Sequence, residues 1–492
     1  MAWILPLDVT RSSIYIGQQM VWISMTKKAK IPLVLTTLIL LTGCATTPPP
    51  ASVALQSFQQ FDARRLDDPG LKSFIVANTG VPVLIWPPRA WNFDQLNLAA
   101  FYYSPDLDVA RAQWEAVKAT EITAGQIPNP TVGFSPTWDE TNFYHLFLPF
   151  DFNLPIETAD KRQLRITGAT DQARAAQYKI IATAWTIRNR LVNALIDDYA
   201  ANRSITLYRR HEAAQKPIVA LFEQRQASGQ SLSLNASQLL VSYQQTLLAE
   251  KQAEIRRAEA EADLAAALGV PLDAVAAIDI AWKNFAMIGK NENARAAHVP
   301  AMTLKHNAQL RAALADYVAA HAALQLELAK RIPDINIGPG YDWSRNGPIY
   351  TFGLSLTLPV FNDNEGPIAE AAAKRKEAAE RFNALQADII GTIERTQAGY
   401  GAAFGKLKRA AQLLDAEQDK YERLSRQLGG GAVARLPLLL AKSEIQTAAI
   451  ARLDAQVQVL KAKAALEYAL EQPLFGGTVN SDLATSNPRG KP

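Results

Sequence analysis

The chain has 492 residues, of which 20% are charged, and its formal net charge is only +4. Such a small charge excess does not indicate a nucleic-acid-binding protein, which would carry concentrated basic surfaces. The single cysteine excludes an internal disulfide and a cysteine metal cluster.

The N-terminal region has the pattern of an export signal. Three lysines within Lys27–Lys30 precede the apolar run Ile31–Leu41, and Thr42-Gly43-Cys44 follows. A basic segment, a short apolar core and a small residue at the cleavage site are typical of secretory signals. We predict a signal peptide over residues 25–43 and translation from Met25, which would make residues 1–24 a mis-called extension.

Two stretches, residues 44–100 and 270–303, carry no long periodic pattern. Three prolines follow Thr47, which suits a tether, and the second stretch contains Pro271 and Pro300. We expect residues 44–100 to form a tether followed by an equatorial segment, meaning one that packs around the middle of the long helices. Residues 270–303 would link the two repeats of the chain and would also pack around the middle of the helices. Residues 473–492 would form a C-terminal tail.

The sequence pattern of the first repeat, residues 101–269, predicts a helix, then a hairpin over residues 130–155, and then long helices. In the hairpin, aromatic and aliphatic residues alternate with Asp151 and Asn153. This alternation indicates a strand with one apolar and one polar face. Pro217 is expected to kink the following helix or to break one of its turns.

A second hairpin is predicted over residues 333–360, with its turn at Arg345–Pro348 and with Asn336 between two isoleucines of the first strand. The apolar face of its second strand is predicted to consist of Tyr350, Phe352, Leu354, Leu356 and Leu358. The polar face is predicted to consist of Thr351, Gly353, Ser355 and Thr357.

Residues 304–472 repeat the order of elements of residues 101–269. Pro333 stands 203 positions after Pro130, and Leu310 stands at the same distance after Leu107. Chance similarity between alanine-rich helices would not place prolines, strands and glycine turns in one order. We therefore predict a duplicated chain, with helix, hairpin, long helix, turn and helix in each copy.

Glycine-containing turns separate the long helices of each copy. Glycine supplies the positive φ that ends a helix, so capping is the structural interpretation of these residues. Docking or gating at a periplasmic tip would be an additional role. The residues predicted at the tip are Ser228, Gly229, Gln230, Gly429, Gly430, Gly431 and Arg435.

The predicted fold class is mainly α, with a pair of β hairpins in each chain. In a membrane, such strands must close into a barrel because only closure satisfies every backbone group. Four strands are too few, whereas three chains would supply twelve. Helices of about 60 residues, roughly 90 Å long, would pack as antiparallel coiled coils into an α-barrel beneath. The predicted barrel lumen contains Asp151, Asn153, Asn336, Ser355 and Thr357.

Short segments in both copies carry a resemblance to a known family. They are Trp91-Asn92-Phe93, Ser104-Pro105-Asp106-Leu107, Pro155-Ile156-Glu157, Pro359-Val360-Phe361 and Gly430. They resemble the TolC-like outer-membrane efflux family over residues 90–475. The resemblance implies a homotrimer, a periplasmic adaptor and an inner-membrane pump of the RND type. It also implies export of drugs, metal ions or proteins from a Gram-negative cell.

One local feature extends this resemblance, and a second departs from it. Leu41-Thr42-Gly43-Cys44 resembles the lipobox of bacterial lipoproteins, which implies an acylated, palmitate-bearing Cys44 in the outer membrane. Some family members carry aspartates after the second tip glycine, but Gly431–Leu440 contains no acid and one arginine. Three copies of Arg435 at a narrow mouth would favour anions; the alternative is a solvated arginine.

The sequence predicts neither an enzyme nor a cofactor site. The histidines have no metal-ligand spacing, and the adjacent acids Asp197 and Asp198 point to different faces of a helix. A second possibility is a periplasmic coiled-coil scaffold or adaptor lipoprotein. The duplicated hairpins with an apolar outer face disfavour it.

Overall fold

The computed structural model describes residues 54–138, 146–147, 149–229, 234–276, 278–285, 305–344, 347–430 and 433–477. The chain divides into two units, residues 1–57 and 58–492, and the described part of the first is only the start of one helix. The predicted signal peptide, Cys44, Gln230 and Gly431 lie outside the described residues. No helix among those described is long and apolar enough to span a bilayer.

Long helices dominate the described part of the second unit. The helices are α1 Ala54–Asp62, α2 Pro69–Thr79, α3 Phe93–Tyr103, α4 Pro105–Gly125, α5 Lys161–Ala227, α6 Leu234–Leu268, α7 Leu272–Val275, α8 Trp282–Phe285, α9 Ala308–Ala329, α10 Glu365–Gly429 and α11 Arg435–Leu470. The strands are β1 Thr131–Phe134, β2 Thr137–Trp138, β3 Leu146–Phe147, β4 Phe150–Ile156, β5 Ile335–Ser344 and β6 Gly347–Leu356.

Helices α5 and α10 have 67 and 65 residues. At 1.5 Å per residue each is about 100 Å long. Helix α5 continues through Pro217, so of the two expected effects the broken turn does not occur, while the kink stays a prediction. Helix α5 packs against α4, α6, α9 and α11, while α10 packs against α9 and α11.

The helices meet along seams of small and aliphatic residues. In α11, Leu453, Leu460 and Ala464 are buried. A second stripe at seven-residue intervals, Ala441, Ala448 and Ala455, is also buried. Alanine at such positions lets helix axes approach closely, which explains how several long helices pack side by side.

The main hydrophobic core lies around the middle of α5. Here the chain before the first repeat meets the chain after α6: the Trp91 amide donates to the Asp279 carbonyl at 2.8 Å, and the Ala281 amide donates to the Trp91 carbonyl at 2.9 Å. Phe93 and Phe475 pack into the same core. The equatorial belt and the domain boundaries stay predictions.

The duplication is visible in the helix caps. The Leu107 amide donates to Ser104 Oγ at 3.3 Å, and the Leu310 amide donates to Asn307 Oδ1 at 2.9 Å. Ser104 and Asn307 precede α4 and α9 and stand at the same sequence offset as the matched prolines. Short polar side chains at this position satisfy an otherwise unpaired helix N–H.

The two predicted hairpins join into one antiparallel sheet. Its strand order is β1-β4-β5-β6, and β2 pairs with β3 beyond it. Gly347 and Pro348 belong to β6 instead of the predicted turn, which is shorter because Ser344 already pairs with Gly347. Proline is tolerated there because β6 is an edge strand.

Candidate channel wall and helix tips

One face of the four-stranded sheet is apolar and exposed in the single chain. A row of rings crosses it, because Phe134 pairs with Phe150, Phe150 with Tyr341, and Tyr341 with Tyr350. Ring centroids are 4.8 Å apart in the first pair and 5.5 Å apart in the last. Phe352 on β6 is 73% exposed. An exposed apolar face of this kind is stable when it contacts lipid or another apolar surface.

The opposite face is polar and made of small residues. Asp151 pairs with Gly133 and Gly340, Asn153 pairs with Thr131, and Asn336 pairs with Ser355. Four of the five residues predicted for the lumen, Asp151, Asn153, Asn336 and Ser355, therefore share one face.

Thr357 is the exception, because β6 ends at Leu356. Leu356 pairs with Ile335, the first residue of β5, so a partner for Thr357 would have to be Asp334. That residue is engaged elsewhere: its carboxylate accepts from Lys161 Nζ at 2.7 Å and from the Thr158 amide at 3.0 Å. Thr357 and Leu358 therefore lie just beyond the described strand, and the lumen position of Thr357 stays a prediction.

The sheet has two edges without a strand partner among the described residues, the outer sides of β1 and β6. Every neighbouring pair is antiparallel, so β1 and β6 run in opposite directions. The β6 edge of one copy can therefore pair with the β1 edge of an identical copy and continue the antiparallel pattern.

Charged side chains join the sheet to the long helices. Besides the Lys161–Asp334 pair, Arg165 binds Glu157, with an Nη2–Oε2 distance of 2.9 Å. Arg331 pairs with Asp363, next to the start of α10. These contacts fix the direction in which α5 and α10 leave the strands.

The first helix tip follows α5. Ser228 ends the helix, and Gly229 adopts a φ of +79° as predicted for a glycine turn. The second tip differs: Gly429 is the last residue of α10, and Gly430 has a φ of −88°. Neither has the positive φ expected for this turn, and Gly431 lies outside the described residues. Arg435 begins α11 and is exposed.

The two tips come together at one end of the helices. Ile218 and Phe222 of α5 and Ala236 of α6 are buried together, and Leu436 and Leu439 of α11 pack against them. Further along, Lys420 of α10 pairs with Glu444 of α11. Sequence alone placed both turns at a tip, and this apolar cluster explains why they stay adjacent.

A polar contact crosses the helices behind this tip. His211 Nε2 lies 3.0 Å from Ser443 Oγ and links α5 to α11. Burial lowers the pKa of His211, which favours the neutral imidazole. In the described part of the chain, no group of three or more His, Cys, Asp or Glu side chains could hold a metal ion.

Sequence reasoning missed the buried pair of Arg188 and Glu467. Arg188 Nε lies 2.7 Å from Glu467 Oε1, and both side chains are buried. The two residues are 279 positions apart. No local pattern signals such a pair; only a charged residue on an otherwise apolar face of α5 hints at a partner.

Comparison with known proteins gives one family match and several relatives. Residues 299–471 match the sequence model of the family described as "Outer membrane efflux protein". The pyoverdine export outer membrane protein OpmQ of Pseudomonas putida is 24% identical over 433 residues, covering 80% of this chain and 87% of that protein. The cobalt-zinc-cadmium resistance protein CzcC of Cupriavidus metallidurans is 22% identical over 298 residues, covering 58% and 68%.

The fold is also similar to that of solved channels. The outer membrane protein VceC of Vibrio cholerae superimposes with a TM-score of 0.62 at 18% identity, covering 77% of this chain and 96% of that one. These relatives are named as export, resistance and outer-membrane proteins, and none is named as an enzyme. In its sequence match over the second repeat and in its duplicated helix and hairpin fold, the chain is similar to TolC-like outer-membrane efflux proteins.

Proposed function

We propose that this protein is the outer-membrane exit duct of a tripartite export system. Small molecules or ions would pass through it passively, from a periplasmic adaptor and an inner-membrane pump to the exterior. One observation carries the proposal: each chain holds a four-stranded sheet with an exposed apolar face, a polar face and two edges that have no strand partner among the described residues.

The physical argument starts from these edges. Inside a bilayer every unpaired backbone N–H and C=O costs several kcal/mol, so an open sheet is not a stable membrane structure. Four strands cannot close on themselves. Because β1 and β6 run in opposite directions, identical copies can join edge to edge. Three copies would give twelve strands around a polar lumen.

The long helices support the same arrangement. At about 100 Å they would reach far into the periplasm from a barrel in the outer membrane. Packed around the same axis, they would continue the lumen as an α-barrel. The small polar residues on the inner face suit a passive pore. The energy for export would therefore come from the inner-membrane pump, which the resemblance implies is of the RND type.

The helix tips are the expected site of adaptor docking and gating. They lie at the end of α5 and α10 opposite the sheet, where the described residues Ser228, Gly229, Gly429, Gly430 and Arg435 are found. We retain the anion preference of Arg435 as a prediction for this mouth alone. Unchanged selectivity in bilayer recordings of Arg435→Ala would contradict it.

The proposed outer-membrane localisation includes a lipid anchor at Cys44. Its support is the sequence Leu41-Thr42-Gly43-Cys44 behind a signal peptide. An acylated N-terminus and a shared barrel would both hold the protein in the outer membrane.

The native mass of the detergent-solubilised protein tests the proposal, followed by single-channel conductance. We expect three chains per particle and conducting channels. A stable monomer would leave the edges of β1 and β6 open and would favour the scaffold or adaptor lipoprotein instead. As a matched control, a variant with residues 333–360 replaced by a short Gly-Ser linker should not form channels.

A further inference from the structure

The helices are joined by polar contacts at a level just behind the tips. His211 of α5 stands seven residues before Ile218 of the apolar cluster at the tip, so it lies about 10 Å further along the helix from that end. His211 Nε2 contacts Ser443 Oγ at 3.0 Å, and Gln215 Nε2 donates to Ser242 Oγ at 3.3 Å. Both side chains of α5 are buried. Hydrogen bonds therefore hold α5 to α11 and to α6 at this level, where apolar packing does so at the tip.

His211 has no counter-charge in the described part of the chain. Burial alone lowers the pKa of its imidazole below the ordinary 6.5, with no contribution from a charged neighbour. The charged and titratable side chains at this level of α5, α6 and α11 are exposed, half-buried or engaged with other residues. They are the exposed Arg210, Lys216 and Lys442, the half-buried Tyr208, Glu212 with Tyr243, and the ion-paired Glu250 and Glu444. The neutral imidazole is therefore the form that fits between the helices.

The polar contacts at this level are also incomplete. Gln215 lies one turn beyond His211 on the same face of α5, and its Oε1 atom is buried without a hydrogen-bond partner among the described residues. That oxygen can accept from a protonated imidazole, but a neutral amide does not neutralise the charge. A partly satisfied polar network holds helices less firmly than apolar packing, because an unpaired group has lost its water without gaining a partner. At this level a change of one charge is therefore enough to shift the balance between α5 and α11.

We propose that His211 is a pH-sensitive latch, which holds α11 against α5 when neutral and releases it in acid. A protonated His211 is a buried cation without a counter-charge, so an arrangement in which water reaches the ring is favoured. The packed form binds the proton less tightly than the exposed form does. The contribution of the latch is therefore complete well above the ordinary pKa of 6.5 and is lost as the pH falls below it. The latch is a property of the helices, whereas its effect on conduction rests on the proposed function.

Spin-label distances within one chain test the latch. Labels on Gln224→Cys of α5 and on Ala434→Cys next to the start of α11, both exposed positions, report the separation of the two tips. Cys44→Ser removes the only other thiol, and unlabelled chains dilute the labelled ones. Between about pH 7.5 and about pH 5.5, on either side of the ordinary histidine pKa, the distance should lengthen. His211→Gln keeps a hydrogen-bonding side chain that cannot take up the proton, and it should abolish most of this change.

Two further variants fix the assignment to this histidine. His306→Gln removes an exposed histidine just before α9, and it is the matched control that should keep the full response. Ser443→Asp places a carboxylate beside His211 and should reverse the response, because the protonated imidazole then has a counter-charge. The buried carboxyls of Asp198 and Glu471 titrate in every variant, so the difference from wild type reports His211 alone.

Planar bilayers then test the consequence for conduction. The open probability of the wild-type channel should rise on acidification over the same pH range, and that of His211→Gln should not. Label distances that are equal at both pH values in wild type, or that lengthen equally in His211→Gln, would overturn the latch and leave the proposed function standing. A protein that forms no channel at any pH would overturn the proposed function, while the label distances would still decide whether the latch exists.

Discussion

Single buried charges fix distant parts of the chain to one another. Arg188 has no exposed surface and pairs with Glu467, while its guanidinium carbon lies 4.7 Å from the centre of the Phe93 ring. Glu467 Oε2 in turn accepts from the Phe475 amide at 2.6 Å. One ion pair thus ties the middle of α5 to the end of α11 and to the chain that follows.

Arg188→Ala is expected to lower the free energy of unfolding by about 3–5 kcal/mol, because it leaves the Glu467 carboxylate buried and unpaired. Arg190→Ala is the matched control two positions away. Its partner Asp106 is half exposed, so about 0–1 kcal/mol is expected. Denaturant unfolding followed by tryptophan fluorescence measures both, and equal effects would contradict the structural role of the buried pair. Replacing Arg188 by Met together with Glu467 by Leu should regain most of the loss.

Glu471 gives the stability of the fold a pH dependence. Burial raises the pKa of its carboxyl from 4.5 to about 7, although the Ala308 amide donates to it at 2.6 Å. The folded chain therefore binds a proton at a higher pH than the unfolded chain. Its stabilising contribution is complete below a pH of about 4.5 and is lost as the pH rises to about 7.

Glu471→Gln should reduce this loss of stability between pH 4.5 and 7 and make the protein more stable than wild type at pH 8. Some slope should remain, because burial also raises the pKa of Asp198, to about 6, and the nearby Glu261 adds to the effect. Apparent melting temperatures across the pH range measure this, with Glu115→Gln on the exposed side of α4 as the control. An unchanged profile in Glu471→Gln would contradict the assignment.

At the scale of the elements, the sheet depends on close contact between β4 and β5. A Cβ atom on Gly338 would lie 2.5 Å from the carbonyl oxygen of Phe152, a backbone atom that cannot rotate away. Gly133 lies on the same polar face, but its Cβ would meet nothing closer than Asp151 Cβ at 3.5 Å. The two glycines thus differ in what they allow, although their sequence contexts look alike.

Gly338→Ala should destabilise the sheet by about 1–3 kcal/mol, the usual cost of overpacking. Gly133→Ala should have little effect. Heat-induced dissociation of the assembled protein in detergent compares them directly. If the two variants dissociated at the same temperature, close approach of β4 and β5 at Gly338 would not be what requires glycine.

The elements also show which features the sequence could predict. Alternation is a local property, so the faces of β4 and β6 and the polar positions Asp151 and Ser355 follow from it. The end of β6 does not, because Leu356 pairs with Ile335, the first residue of β5, and the boundary of a strand depends on its partner.

At the scale of the whole molecule, the duplication predicted four strands but not that β4 and β5 pair. That pairing turns two marginal hairpins into a sheet with a continuous apolar face and a continuous polar face. The equatorial core forms from residues far apart in the chain, such as Trp91 and Ile280. Neither the pairing of β4 with β5 nor the equatorial core can be predicted from a single sequence, because both depend on the relative placement of the two repeats.

At this scale two proposed means of membrane attachment can be tested separately, a lipid on Cys44 and the shared barrel. A lipid anchor holds a chain at one point, whereas a closed barrel is held by its whole apolar face. A variant with a cleavable non-lipoprotein signal in place of residues 25–43 and with Cys44→Ser should lose palmitate labelling. It should nevertheless stay in the outer-membrane fraction after a high-salt wash and still form trimers. Release of this variant into the periplasm would mean that the anchor alone holds the protein, and it would argue for the scaffold. The complementary variant, with Cys44 intact and residues 333–360 replaced by a linker, should keep the label and lose conductance.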